Sequence, residues 1–417
     1  MAGIDDTIKA KATGPIPDGY AACGGDLSVG GKSLPSLIET EGDTPLFVYS
    51  RAMLTARMAA LRAAMPPRLA IHYAMKANPY PPLLAFMRPL VDGFDVASGG
   101  EVELALAAGV DPSRISFAGP GKRDRELAVA ITRGVTINLE SEGEADRVLA
   151  IAAQANVIPR LAVRVNPRFD LKGSGMKMGG GARQFGVDAD RVPALVQRII
   201  KSGADWRGFH IYAGSQALSA DAIIAMQAET IALTAQLAEA IGAAPRHVNL
   251  GGGFGIPYFS GDVSIDIIAV GKALQAEFDA LPPIIAQSEF CIELGRYLVG
   301  EAGVYLTRIL DRKVSHGETF LVTDGGLHHM LAASGNFGTV IRRNYPVTIA
   351  SRFGAEPQEV VNIVGCLCTP LDLLSHAAYL PAADVGDIVA IFCAGAYGAS
   401  ASPAQFLGQG SAQEILV

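Results

Sequence analysis

The sequence predicts a (β/α)8 barrel followed by an antiparallel β domain, and three observations predict it. Eight short β-rich runs recur between residues 69 and 296, with helical patterns between them. Near residue 300 the helical periodicity fades into β-branched runs and glycine-rich turns. Polar residues fall repeatedly at the C-terminal ends of the eight runs, which is where barrel enzymes carry their chemistry.

The runs are LAIHYAM (69–75), GFDVAS (93–98), ISFAG (115–119), VTINLE (135–140), LAVRVN (161–166), GFHIYAG (208–214), HVNLGGG (247–253) and FCIELGR (290–296). Between them, segments such as EVELALAAG, EADRVLAIAAQAN and ALVQRIIKSG repeat apolar residues at helical spacing. Two helices open on a capping-box pattern, Ser98-Gly-Gly-Glu101 and Ser141-Glu-Gly-Glu144. A doubly wound sheet would also alternate, but with fewer strands per domain, so the barrel is preferred. Beyond residue 300, TFLVTDG, EVVNIVGCLC and DIVAIFCAGAYG read as strands of a second domain. The expected organisation is an N-terminal segment 1–46 partly joining the β domain, a barrel 47–298 and the β domain 299–417.

Composition sets outer bounds. A chain of 417 residues exceeds one ordinary core. A net charge of −7 argues against nucleic acid as a partner. The first residues lack the apolar run of a signal peptide, and no stretch approaches the roughly 18 apolar residues of a membrane span. Five scattered cysteines point to a reducing cytoplasm rather than a disulfide framework. Neither they nor the seven histidines show ligand spacing, so no metal is expected, and the adjacent His328 and His329 would diverge on a strand or helix.

Lys76 ends the first run, in RLAIHYAMKANPY. It is read either as a desolvated amine suited to Schiff-base chemistry or as a lysine that leans out at the strand tip. Asp95, Arg164, Asn166, His210, Tyr212 and Ser215 end later runs. Gly251, Gly252 and Gly253 form either a cradle for an anion or a plain tight turn. Glu293 and Arg296 either serve a ligand's ring nitrogen and phosphate or pair with each other. An amine, a glycine cradle and a carboxylate for a cationic ring nitrogen together are what pyridoxal 5'-phosphate requires.

In combination these motifs resemble the fold-type III pyridoxal-phosphate decarboxylases, the diaminopimelate, ornithine and arginine decarboxylase group with an alanine racemase-like architecture, from about residue 44 to 417. YAMKAN, FDVASGGE, LGGGFG, ELGRYLVG, GCLCTPLD and GAYGAS carry the resemblance, with Leu294 standing where the family has proline. The resemblance implies that Lys76 holds the cofactor and Glu293 keeps its ring nitrogen protonated. It implies that Ser215, Gly252, Gly253, Arg296 and Tyr397 grip the phosphate, with Asp95, Arg164, His210, Tyr212 and Gly251 around them. Cys368, otherwise an ordinary buried thiol, would protonate the α-carbon after carbon dioxide leaves. Asp372, His328 and His329 would face the substrate. It further implies a homodimer in which Cys368 and Asp372 complete the neighbour's active site.

The departures bear on substrate. Tyr212 stands where many relatives stack a histidine, and Thr369-Pro370 follow Cys368 where diaminopimelate enzymes place a glutamate that reads the distal amine. GSGMKMGGGARQFGV, HIYAGSQ, GGLHH and RRNYP look most like the branch that decarboxylates a glutamyl group held as a thioester on an acyl carrier protein, with similar proteins beside exosortase gene clusters. A carrier-bound or otherwise masked acidic amino acid is therefore expected, with a carrier protein as partner. Free meso-diaminopimelate is the alternative. A racemase is disfavoured by GCLCTPLD, and a non-catalytic relative by the retention of Lys76, Cys368 and the glycine loop.

Overall fold

The computed structural model describes residues 9–171, 173, 175–177, 179–336 and 342–417, so Ser174 and Met178 of the glycine-rich segment and Phe337 of ASGNF lie outside the described residues. The chain divides into two compact units, residues 57–256 with 264–297 and residues 1–56 with 257–263 and 298–417.

The first unit is a closed parallel barrel. Its strands are Leu69–Ala74, Gly93–Val96, Ile115–Phe117, Thr136–Leu139, Arg160–Asn166, Asp205–Ile211, His247–Asn249 and Glu289–Leu294. All eight expected strands are present; most are shorter than or shifted against their runs, and Arg160–Asn166 is one residue longer. Every neighbouring pair is parallel, and the pairing of Thr136–Leu139 with Arg160–Asn166 closes the cylinder. Helices on the outside bury the outer strand faces, which is why the strands read as apolar runs rather than alternating ones. Val192–Lys201 shows the logic: Val192, Leu195, Val196 and Ile199 are buried at helical spacing along one face.

Both capping patterns form, with one modification. The hydroxyls of Ser98 and Ser141 accept from the backbone N–H of Glu101 and Glu144 at 3.2 and 3.1 Å. The returning carboxylates reach one residue further back, to the N–H of Ala97 at 2.6 Å and of Glu140 at 2.7 Å. Glu144 thereby enters a buried network. Its other oxygen accepts from Lys122 Nζ at 2.8 Å, and Lys122 also donates to the carbonyls of Gly119 at 2.7 Å and Asn138 at 2.8 Å. All three ammonium donors are thus used.

The second unit is built on the long strand Gly303–Ser315, which pairs antiparallel with Leu46–Tyr49, Ile388–Ile391 and Glu318–Thr323. Two pairings are parallel, Glu318–Thr323 with Glu359–Val364 and Gln413–Leu416 with Leu46–Tyr49. The expected antiparallel domain is therefore a mixed sheet. Leu46, Val48, Val304, Leu306, Ala390, Phe392 and Ile415 form its core. Because Leu46 and Val48 supply that core, the whole strand Leu46–Tyr49 groups with this unit rather than ending it at residue 46, and the short segment 257–263 does likewise. Among the described residues, no helix is long and apolar enough to cross a membrane.

Lys122→Ala would strand the buried Glu144 carboxylate without its countercharge. A loss of about 3–5 kcal/mol in unfolding free energy is expected, measured by denaturant titration against the unmodified chain.

Candidate active site

The C-terminal ends of the barrel strands collect most of the expected residues. Lys76 lies on a single 3-10 turn, Met75–Ala77, directly after the first strand. Its neighbours Met75 and Ala77 are buried while Lys76 itself is exposed, which favours the reading of a lysine that leans out at the strand tip. The turn points the long side chain off the strand end, and what marks Lys76 is its company rather than its burial. Its Nζ lies 5.4 Å from the centre of the Tyr212 ring.

Glu293 is the buried counterpart. One carboxylate oxygen accepts from Asn249 Nδ2 at 3.0 Å and lies 3.0 Å from His210 Nε2. Burial alone would raise its pKa; the His210 ring, followed by Lys76 and Arg164, outweighs burial and holds it near about 2. Glu293 is thus an anion at neutral pH although it is only 6% exposed. Arg296 opens the short helix Arg296–Val299.

Arg164 lies close enough to act on Glu293, but its guanidinium is held by another carboxylate. Its Nη1 donates to Glu140 Oε1 at 2.8 Å, and its plane lies 4.7 Å from the Phe185 ring. Glu140 also accepts from the backbone N–H groups of Gly119 and Gly186 at 2.7 and 2.8 Å. Arg164 therefore supplies field to the mouth from a fixed position. Asn166 faces away into its own loop, donating to Gly181 O and Asp188 Oδ1 at 3.0 Å each. Asp95, level with Ala74 across the first two strands, is buried against His72, 3.2 Å from that ring.

The glycine run leaves Asn249, whose Oδ1 accepts from Gly251 N–H at 2.8 Å. Gly251 adopts φ 75°, and a Cβ on Gly252 would sit 1.9 Å from the Glu293 carbonyl oxygen. No side chain fits between this loop and the last strand. Gln216, next to Ser215, clamps the loop from the other side by donating to Ile256 O at 2.7 Å and accepting from Ile256 N–H at 3.3 Å. Sequence reasoning passed over Gln216, Asn249 and Glu140. The first two stand inside GSQ and NLGGG, so their motifs were the available signal.

The remaining expected residues belong to the second unit. Cys368 is exposed on the loop between Glu359–Val364 and Leu373–Leu380, which replaces the ordinary buried thiol with an accessible one. Asp372 is 3% exposed, and its two oxygens accept from the N–H groups of Leu327 at 2.6 Å and Leu367 at 2.9 Å. Its carboxylate ties two loops together. His328 and His329 are likewise buried, at 0% and 4% exposed. They occupy a turn, not a strand or helix, so their rings approach to 3.8 Å instead of diverging. His329 is held by Tyr305 Oη at 3.0 Å and Gly410 O at 3.1 Å, and burial leads the effects that lower its pKa to about 4. Tyr397 is half-buried with φ 56°, a conformation that a non-glycine residue adopts only at some cost.

These residues fit pyridoxal phosphate. The Gly251–Gly253 backbone is stripped of side chains for lack of room, the anionic Glu293 suits a protonated ring nitrogen, and the Lys76 amine reaches the same mouth beside an aromatic face. Gly252→Ala tests the cradle: the clash with the last strand should cost about 1–3 kcal/mol of stability and weaken cofactor retention, read by thermal unfolding and by visible absorbance after dialysis.

Residues 51–300 match the family model described as the pyridoxal-binding domain of pyridoxal-dependent decarboxylases. The chain is 37% identical over 380 residues to the L-glutamyl-[BtrI acyl-carrier protein] decarboxylase of Niallia circulans, covering 90% of this chain and 89% of that one. It is 31% identical over 402 residues to the diaminopimelate decarboxylase of Methanothermobacter thermautotrophicus, covering 94% and 91%. The solved diaminopimelate decarboxylase of M. jannaschii in co-complex with L-lysine superposes with a TM-score of 0.84 at 25% identity, covering 96% of this chain and 93% of that one. By sequence and by fold, the chain belongs to the pyridoxal-phosphate-dependent decarboxylases.

Proposed function

We propose that this decarboxylase removes the α-carboxylate of an acidic amino acid whose distal carboxylate is masked, as in a glutamyl thioester on an acyl carrier protein. The observation that carries the reading is the chemistry of the loop at Cys368. Thr369, Pro370 and Leu371 follow the cysteine, and Leu371 is 55% exposed. The one acid of that stretch, Asp372, is buried with both oxygens engaged by backbone. A substrate with a distal ammonium finds no carboxylate there. A thioester, which carries no charge, needs none. The glutamyl-carrier relative, at 37% identity, supports the same substrate class.

In this reading Lys76 carries the cofactor, and the Gly251–Gly253 backbone with Ser215, Arg296 and Tyr397 holds its phosphate. Pyridoxal phosphate, once bound, supplies an electron sink beside the substrate's α-carbon, so that the carboxylate can depart as carbon dioxide. Glu293 stays ionised and keeps a proton on the ring nitrogen. Asn249 and His210 hold that carboxylate still, and Tyr212 offers a flat face for the ring. Cys368 delivers a proton to the α-carbon from the water-accessible side of its loop. The active unit is a homodimer in which each Cys368 loop serves the other subunit's barrel, working in the reducing cytoplasm that five free cysteines suit.

Release of carbon dioxide from glutamyl-loaded carrier protein, set beside free glutamate and free meso-diaminopimelate, tests the substrate. Turnover should be confined to the loaded carrier; efficient release from free meso-diaminopimelate would overturn the reading. Cys368→Ala should lower kcat by about 10²–10⁴-fold, the usual worth of a general acid. Mixing equal amounts of Lys76→Ala and Cys368→Ala should restore up to about a quarter of full activity if the sites are shared across a two-fold dimer, and none if each subunit is self-sufficient.

A further inference from the structure

Deeper in the barrel lies a cluster that decarboxylation leaves unused. His72, His247 and Cys291 stand on three separate strands, Leu69–Ala74, His247–Asn249 and Glu289–Leu294. One nitrogen of each ring and the Cys291 sulfur all lie within 4.8 Å of one another. Cys291 Sγ is 3.2 Å from His247 Nε2, and the two imidazoles stack with centres 5.6 Å apart. Asp95 Oδ2 approaches His72 Nδ1 at 3.2 Å.

The polar groups of this cluster are under-used. Asp95 is 6% exposed and His72 8%, yet among the described residues neither carboxylate oxygen nor His72 Nδ1 makes an aligned hydrogen bond. Asp95 Oδ2 and His72 Nδ1 face one another, so the carboxylate can orient the ring. Gly93 makes room for the His72 ring, since a Cβ there would lie 2.6 Å from His72 Nε2. Below the cluster, at the N-terminal ends of the strands and away from Lys76, is a cavity of about 460 Å³ bordered by His72, His247, Asn138, Asn249, Arg160 and Arg207.

We propose that His72, His247 and Cys291 bind a divalent cation of the zinc class, with Asp95 orienting His72 and a fourth position open toward the cavity. Two imidazoles and a thiolate select zinc over magnesium or calcium, which prefer oxygen ligands. Tetrahedral zinc places neighbouring nitrogen and sulfur ligands roughly 3.3–3.6 Å apart. The present 3.2 Å sulfur-to-nitrogen separation is close to that spacing. A carboxylate behind a metal-bound histidine is the usual second partner at such centres. Binding displaces the thiol proton of Cys291, which leaves to solvent.

Holoenzyme purified without a histidine tag should contain near-stoichiometric zinc by elemental analysis. After exchange into cobalt, its difference spectrum should show the tetrahedral visible bands and a thiolate-to-metal band in the near ultraviolet. Cys291→Ser and His247→Gln should lose both the metal and the thiolate band. Failure of the unmodified protein to retain zinc or cobalt would overturn the proposal, as would equal retention by Cys291→Ser. The cobalt spectrum of the unmodified protein decides the question even if the variants do not fold.

Discussion

The buried, ionised Glu293 carboxylate is the interaction on which the barrel mouth depends. An anion so deeply enclosed is tolerated only where partners and field compensate it. Asn249 donates to it, the His210 ring lies against it, and Lys76 and Arg164 act on it from the rim. Asn249 does double duty, because its other side-chain atom receives the N–H of Gly251. The buried carboxylate and the glycine loop are thereby tied together by one residue, so they cannot drift independently.

Around that anion, the barrel spends its charges in pairs. Arg164 is fixed by Glu140, and Glu140 is fixed in turn by the backbone of Gly119 and Gly186. Lys122 and Glu144 form a second buried pair one helix away. Lys122 uses all three of its donors and both oxygens of Glu140 and of Glu144 accept, which is the condition under which buried charge does not unravel a core. At the mouth the Lys76 amine is exposed and acts on both Glu293 and Glu101.

The second unit follows the same rule with a different outcome. Asp372, His328 and His329 carry reactive groups, yet backbone amides and Tyr305 take up Asp372 and His329, and all three are buried. What the loop exposes is Cys368 with an uncharged, partly apolar surround. Reactive residue types in a family motif therefore divide into one accessible thiol and a set that shapes the loop holding it.

Local pattern sufficed for the barrel, but not for the mixed pairing of the second unit. Eight apolar runs, their helical spacers and two capped helix starts reside in consecutive residues, so LAIHYAM through FCIELGR could be read as barrel strands without knowing what they touch. The motifs also named Lys76, Glu293 and the glycine run, because each is a short segment with one chemical purpose. Exposure and partnership were not legible. Which of two readings Lys76 follows, which partners Asp372 takes and how the His328 and His329 rings meet were decided by the turns and loops that carry them. His72, His247 and Cys291 are distant in the chain and adjacent in the barrel. Only the closing of the parallel sheet brings such residues together, and burial, charge and hydrogen bonding are properties of that closure rather than of any stretch of chain.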